Sequence, residues 1–461
     1  MNWQRAKICS ILALMSLGVV GAISKWAIGG FSQPAGVRVD AKGVLRTLVF
    51  NDPTGQLTRQ RINAAKAGLN RDLLKPSKLR KVSLNRLEKA MASLLDEGKA
   101  ETDEMKYLAG LTQITHVFYL PETKDVVIAG PAEGFYENIA GRVVGMSSRK
   151  SILQLQDLVV ALRCFSPDGD QTRQIGCSID PTQEGLKKMQ DFLISISGKV
   201  QPTQQSANAV AAGLKNNLGL QTVSIVGISD KTHFAQVLVE ADYRMKMIGI
   251  GLEKPQARIP SYVSKAKPAQ VSRNALTRWF FEPDYESVLV SDDQNAMQLV
   301  GKGVKLITEN EMVAPDGIRQ RTNSKDIASM AFCSAFTRNY HQMADTTAVY
   351  AELKNLIDMS IVAAFIQKED YFSRAGWDMT FFSDEEKFPV ETYEAPKQVE
   401  TAVNAIFKGG SLMTPVGGGV SIQPLKAVSE GKIKYDQKGL INKVRSTVDT
   451  ESLDDGQWWW D

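Results

Sequence analysis

Residues 114–130 read "ITHVFYLPETKDVVIAG", and this stretch decides the fold class. Two runs rich in β-branched and aromatic residues flank Leu120-Pro121-Glu122-Thr123, where proline suits the second position of a type I turn. The reading is a β-hairpin whose second strand runs on into "GPAEGF", residues 130–135. Pro131 has no N–H to give a ladder and Gly134 loosens the backbone, so the strand ends and the chain turns. Glu133 stands alone in that turn. Ligands gather beyond strand ends in open parallel sheets, whereas this strand reads as antiparallel, so Glu133 is assigned a structural role.

Working outward, "VRVDAKGVLRTLVF" alternates about Gly43 as a short hairpin does. Two helices follow: "TRQRINAAKAGLNRDLL", stopped by Pro76, and "SLNRLEKAMASLLDEG", opened by Ser83 and closed by Gly98. Leu84, Leu87, Met91, Leu94 and Leu95 form one apolar stripe, a core face. After the hairpin, "SILQLQDLVVALRCF" reads as a helix, "QIGCSID" as a strand and "PTQEGLKKMQDFLISI" as a helix. A polar link at 198–206 precedes a strand, "QTVSIVGIS", and a helix in "DKTHFAQVLVEADYRMKMIGIGLE". There Glu240 and Arg244, like Asp242 and Lys246, stand four residues apart, the pattern of a solvated face. Residues 278–309 read as an antiparallel meander, and 324–369 as a helix hairpin with Tyr350, Leu353, Leu356, Ile357, Ile361, Ala364 and Phe365 on one stripe. Helices and strands mix without the rhythm of a doubly wound sheet. The expected class is α+β, with regions 37–198 and 207–425 and a charged tail, 426–461, ending in Trp.

A chain of 461 residues, 43% hydrophobic and 23% charged, has material for about two or three cores, and its net charge of +4 is too mild to indicate nucleic acid. The first residues are more telling. Arg5 and Lys7 precede an apolar run from Ile8 to Ile23, with small residues Val20-Gly21-Ala22 at its end, which is the form of a signal peptide. Export to the periplasm, cell surface or medium follows, with an uncleaved membrane anchor as the alternative; residues 24–36 are a linker. Cys9 opens the apolar run rather than following it, so no lipoprotein signal is present. In an oxidising compartment Cys164 and Cys177, which bracket a loop built on Pro-Asp-Gly, are placed to form a disulfide; two reduced thiols are the alternative. Cys333, among apolar residues at helical spacing, is read as core.

Recognisable catalytic motifs are absent from the sequence. His116, His233 and His341 are far apart, without HExxH or CxxC patterns, and no cofactor is implied. No G-x-S-x-G elbow occurs, and "GGGV" lacks the Lys-Ser/Thr of a phosphate loop, which makes it a place of close backbone packing. Glu133, Asp157, Glu240, Asp242, Asp292 and Asp293 are available as paired carboxylates, but spacing selects none of them. Between Thr58 and Lys89 ten Lys and Arg face two acids, so Lys75, Lys78, Arg80 and Lys81 are candidates for an anionic surface of the envelope. Trp458, Trp459 and Trp460 are candidates for docking the tail, on the chain itself or on another envelope protein.

The stretches "VVIAGPAEGF", "SILQLQDLVVALR", "CSIDPTQEGL", "HFAQVLVEADYRMKMIGIGLE", "SDDQNAMQLVGKGVKL" and "LMTPVGGGVSIQP" together resemble a family of exported planctomycete proteins that carries a domain of unknown function. The likeness spans most of 37–425. It implies export and a shared fold, and it brings no catalytic residue, because that family has no assigned activity. Its frequent aromatic at the position of Phe135 agrees with packing in that turn. The expectation is a non-enzymatic, exported envelope or surface protein with a binding or structural role. The alternative is an extracellular hydrolase of an envelope polymer, which a deep cleft lined by two or more acids would favour.

Overall fold

The computed structural model describes residues 36–40, 42–48, 52–169, 171–201, 203–267, 275–322, 326–407, 411–413 and 416–461. The leader and its Cys9 lie outside the described residues. The fold is α+β, and Pro34–Asp461 form one compact unit.

The opening hairpin is present as read. Strand His116–Leu120 pairs antiparallel with Asp125–Ala132, Leu120 facing Asp125 across the turn. These strands lie inside a seven-stranded sheet. Its order is Lys434–Tyr435, Val288–Val290, Ala296–Leu299, His116–Leu120, Asp125–Ala132, Ser77–Ser83 and Trp459–Trp460. A nine-stranded sheet runs Gly36–Val39, Val44–Leu48, Gln398–Glu400, Leu220–Val226, Ile175–Asp180, Val416–Ile422, Ala275–Pro283, Val304–Val313 and Arg319–Thr322. Both sheets draw strands from the 37–198 and 207–425 regions. The stretch 278–309 departs from a simple meander: its outer strands pair with each other in the nine-stranded sheet, while Val288–Val290 and Ala296–Leu299 form a hairpin in the other sheet. Turn signals and alternation mark strands, but they do not say which sheet a strand joins.

Helices join the sheets into one core. His233–Gly249 packs on Ile175–Asp180 and Val416–Ile422, and Ala348–Lys368 packs on that helix and on Leu155–Arg163. The sequence expected Glu240, Asp242, Arg244 and Lys246 on a solvated face; all four are buried, at 3%, 0%, 5% and 3% exposure. The correction has a simple cause, because the helix has the sheet on one side and Ala348–Lys368 on the other. Lys246 Nζ donates to Asp242 at 2.8 Å and to the Ile179 carbonyl at 2.9 Å, so its charge is paired and hydrogen-bonded inside the core. Burial pushes the Asp242 carboxyl up to about 6, against the pull of Lys246. The glycines of "GGGV" allow this packing: a Cβ on Gly418 would stand 1.9 Å from the Trp279 carbonyl oxygen.

His116 carries a pH dependence into the seven-stranded sheet. It is buried beside Phe118, with Thr115 Oγ1 3.0 Å from its Nδ1, and burial pulls its pKa from 6.5 down to about 4. Between those values the unfolded chain binds the proton and the folded chain does not. Stability is therefore full above pH 6.5 and is lost as pH falls towards 4, by up to about 2–3 kcal/mol. Urea midpoints measured across this range should fall less steeply in His116→Gln than in the parent; parallel curves would show that His116 does not titrate this way.

Candidate functional site

Four local structures meet at one cleft. Asn138 organises a tight turn by accepting from the N–H groups of Ala140 at 2.9 Å and Arg142 at 3.1 Å, which presents Arg142 inward between strands Phe135–Glu137 and Val143–Gly145. Asp157 lies in the first turn of helix Leu155–Arg163. His233 is the first residue of its helix, held there by Thr232, whose hydroxyl accepts from the Ala235 N–H at 3.2 Å. Glu352 projects from the buried helix Ala348–Lys368. Glu240 follows His233 by seven residues and so shares its helix face.

The polar groups form a continuous chain. Arg142 donates one guanidinium nitrogen to Glu240 and another to Glu352, and all three side chains are largely buried. Glu352 also accepts from Ser151 Oγ at 3.3 Å. Arg244 reaches Glu240 at 3.5 Å and Glu253 at 2.7 Å. His233 Nδ1 stands 2.8 Å from Asp157 Oδ2, and on its other side Nε2 stands 3.4 Å from the Gln154 amide.

Four carboxylates, Asp157, Glu240, Glu253 and Glu352, face two guanidinium groups, so the cluster carries two negative charges with His233 neutral and one when it is protonated. That balance sets the direction in which the buried groups shift. Burial pulls the His233 pKa down, but the charge and hydrogen bond of Asp157, with Glu352 behind it, lift it above the ordinary histidine value. Burial pushes Glu352 up, yet Arg142 and His233 hold it below the ordinary carboxylate range. A His ring fixed by a carboxylate on one nitrogen, with the other beside a glutamine amide at the cleft wall, has the means to accept or deliver a proton at Nε2.

Above this cluster opens a cleft of about 490 Å³. Gln154, Gln156 and Gln236 supply amides to its walls, Glu137 and Glu391 carboxylates, and Tyr107, Phe388 and Tyr393 ring faces. From the sequence His233 reads as a structural or exposed residue near a helix start, and here it lines the cleft. Of the six carboxylates open to pairing, Asp157 and Glu240 meet in this cluster. Asp242 points to the sheet, Asp292 and Asp293 bind Asn442 and Arg445, and Glu133 accepts from the N–H groups of Ser147 at 2.7 Å and Ser148 at 3.0 Å. Glu133 thus closes its own loop. Among the described residues no group of three His, Cys, Asp or Glu side chains is placed to hold a metal ion.

The remaining sequence candidates fall elsewhere. Cys164 and Cys177 are free, buried thiols. Cys164 caps its helix and donates to the Gly227 carbonyl at 3.5 Å, while Cys177 lies within the sheet opposite Ile225 and Val420. Burial raises both thiol pKa values, Cys164 to about 11, which leaves them unreactive. The basic quartet is not one surface. Lys78 is exposed and Lys75 pairs with Asp72, but Lys81 is 9% and Arg80 0% exposed. Arg80 is consumed by the main chain and by Asp461, because alternate residues of a strand point to opposite faces. Trp459 and Trp460 pair with Val82 and Lys81, and Trp458 is buried, so the tail lies on the chain's own sheet.

Residues 177–262 match a family model described as Protein of unknown function (DUF1598). This part of the chain is similar to a domain of unknown function. The match takes in His233 and Glu240 and leaves Arg142, Asp157 and Glu352 outside it. No curated protein and no solved structure matches the chain. Among the described residues no helix is long and apolar enough to cross a membrane.

Proposed function

We propose that the protein is exported to the cell envelope or surface and works by binding a neutral, hydroxyl-rich ligand, a saccharide segment, in the cleft above Arg142. The observation that carries this reading is the composition of the cleft over a cluster of net negative charge. Amides and carboxylates offer donors and acceptors to hydroxyl groups, each bond contributing about 1 kcal/mol, and tyrosine rings offer flat apolar faces. The negative cluster repels anions. The leader form of residues 8–23 supports the envelope setting.

Titration calorimetry with neutral oligosaccharides, a polyamine and a polyanion tests it. The neutral sugars are expected to bind, and Tyr393→Ala to weaken them about tenfold by removing ring contact and the hydroxyl beside Gln156. Binding of the polyanion alone would overturn the reading. The Asp157–His233 pair favours a second one, hydrolysis of the bound polymer: His233 Nε2 takes a proton from water as it attacks and returns it to the leaving group. Chromatography of the same titration mixtures decides between the two, since cleavage products that vanish in His233→Gln would make the cleft an active site.

A further inference from the structure

A second cavity, of about 420 Å³, lies on the far side of residues 389–391 from the first. Both cavities are lined by the same helix. Leu155 and Gln156, at its start, face the first; Val160 and Arg163, at its end, face the second. From Leu155 to Arg163 the helix rises about 12 Å, so the two openings are neighbours along one groove.

What separates them is a strap, tied at both ends and seated on the core through half-buried Val390. At one end Arg163 donates to the carbonyls of Phe382 at 2.7 Å and Phe388 at 2.6 Å. At the other the Tyr393 N–H donates to the Lys231 carbonyl at 2.8 Å, and its hydroxyl to Glu391 at 2.7 Å. Among the described residues 389–392 make no main-chain to main-chain hydrogen bond, and Pro389, Glu391 and Thr392 are exposed. The strap is thus a low ridge between the two cavities, with Val390 set on the core and its neighbours turned to solvent.

We infer that the two cavities are subsites of one extended site, and that the ligand is a polymer crossing the 389–392 strap, with one segment over His233 and the next against Gly227–Lys231. The inference rests on the saccharide reading above and adds the second subsite and the ligand's length. A monosaccharide-sized ligand would use the first cavity alone. A chain engaging both gains from the linkage of two modest contacts, because the second becomes intramolecular once the first is made.

The test is calorimetry on the full chain with N-acetylglucosamine and glucose oligomers, dimer against hexamer. The hexamer of the preferred sugar is expected to bind at least about tenfold more tightly than the dimer. Ser229→Trp, which fills the second cavity from an exposed position, should remove that advantage and leave dimer affinity unchanged. Thr392→Trp fills it from the strap side and provides an independent variant should the first fold poorly. Equal affinity for dimer and hexamer, unaltered by either tryptophan, would overturn the extended site while leaving the first cavity as a binding site. Failure of both lengths to bind would overturn the extended site and the saccharide reading together.

Discussion

Arg142→Met is expected to lower the stability of the folded chain by about 3–5 kcal/mol, because it leaves Glu240 and Glu352 buried with too little opposing charge. The methionine fills most of the volume of the arginine stem, so a cavity contributes little to this loss. Charge is the larger effect. In the parent, Arg142 helps to hold Glu352 below the ordinary carboxylate range despite burial. Without it, burial governs, the folded-state pKa rises above the unfolded value, and the folded form takes up protons that the unfolded form does not. The deficit is then small in acid and grows as pH rises through the carboxylate range. Urea unfolding at several pH values measures this directly. A companion variant, Arg142→Met with Glu240→Gln and Glu352→Gln, should recover most of the loss and flatten its pH dependence, since no buried charge is left unpaired. If Arg142→Met alone is as stable as the parent at pH 8, the cluster is solvated in a way that its burial does not indicate.

The hairpin at 114–130 and the helices at 84–96 and 155–163 were legible because turn chemistry, caps and apolar spacing all act over a few residues. Ser83 shows this well: it accepts from the Arg86 N–H at 3.4 Å, as an N-cap should. The cleft was not legible in the same way. Its residues come from four separate stretches, and Arg142 meets Glu352 only because two elements pack. One signal was present. In His233–Gly249, Phe234, Val237, Leu238, Ala241, Met245 and Ile248 occupy one face, but Val239 and Met247 are apolar on the other, and a helix apolar on both sides is buried on both. Charged pairs four residues apart on such a helix are buried pairs. Arg80 gave no comparable warning, because its partner lies at the other end of the chain.

That partner supports the second large expectation: removal of residues 457–461 should cost about 3–5 kcal/mol and make the seven-stranded sheet prone to association. Arg80 sits fully buried, with its Nε 2.8 Å and Nη2 2.9 Å from the Asp461 carboxylate. Carbonyls of Ala109 and Lys75 take other donors at 2.8 and 2.9 Å, so the guanidinium cannot turn to water when Asp461 leaves. The same cut removes Trp459 from above the guanidinium, 4.7 Å away, and exposes the edge of Ser77–Ser83 that Trp459 and Trp460 cover. Burial pushes the Asp461 carboxyl up, but Arg80 and Ser77 hold it below its ordinary value, so this stabilisation is full at neutral pH and is lost as pH falls through the carboxylate range. Truncation and acid should therefore act through one contact, and the truncated chain should lose less stability on acidification than the parent. Light scattering reads the association, and a synthetic peptide of residues 456–461 added in excess should suppress it by covering the edge again. If the truncated chain stays monomeric with an unchanged urea midpoint, the tail is an ornament on the sheet; if it fails while Arg80→Met tolerates the same cut, the cost comes from the unpaired charge, and the tryptophans act chiefly as a cover for the sheet edge.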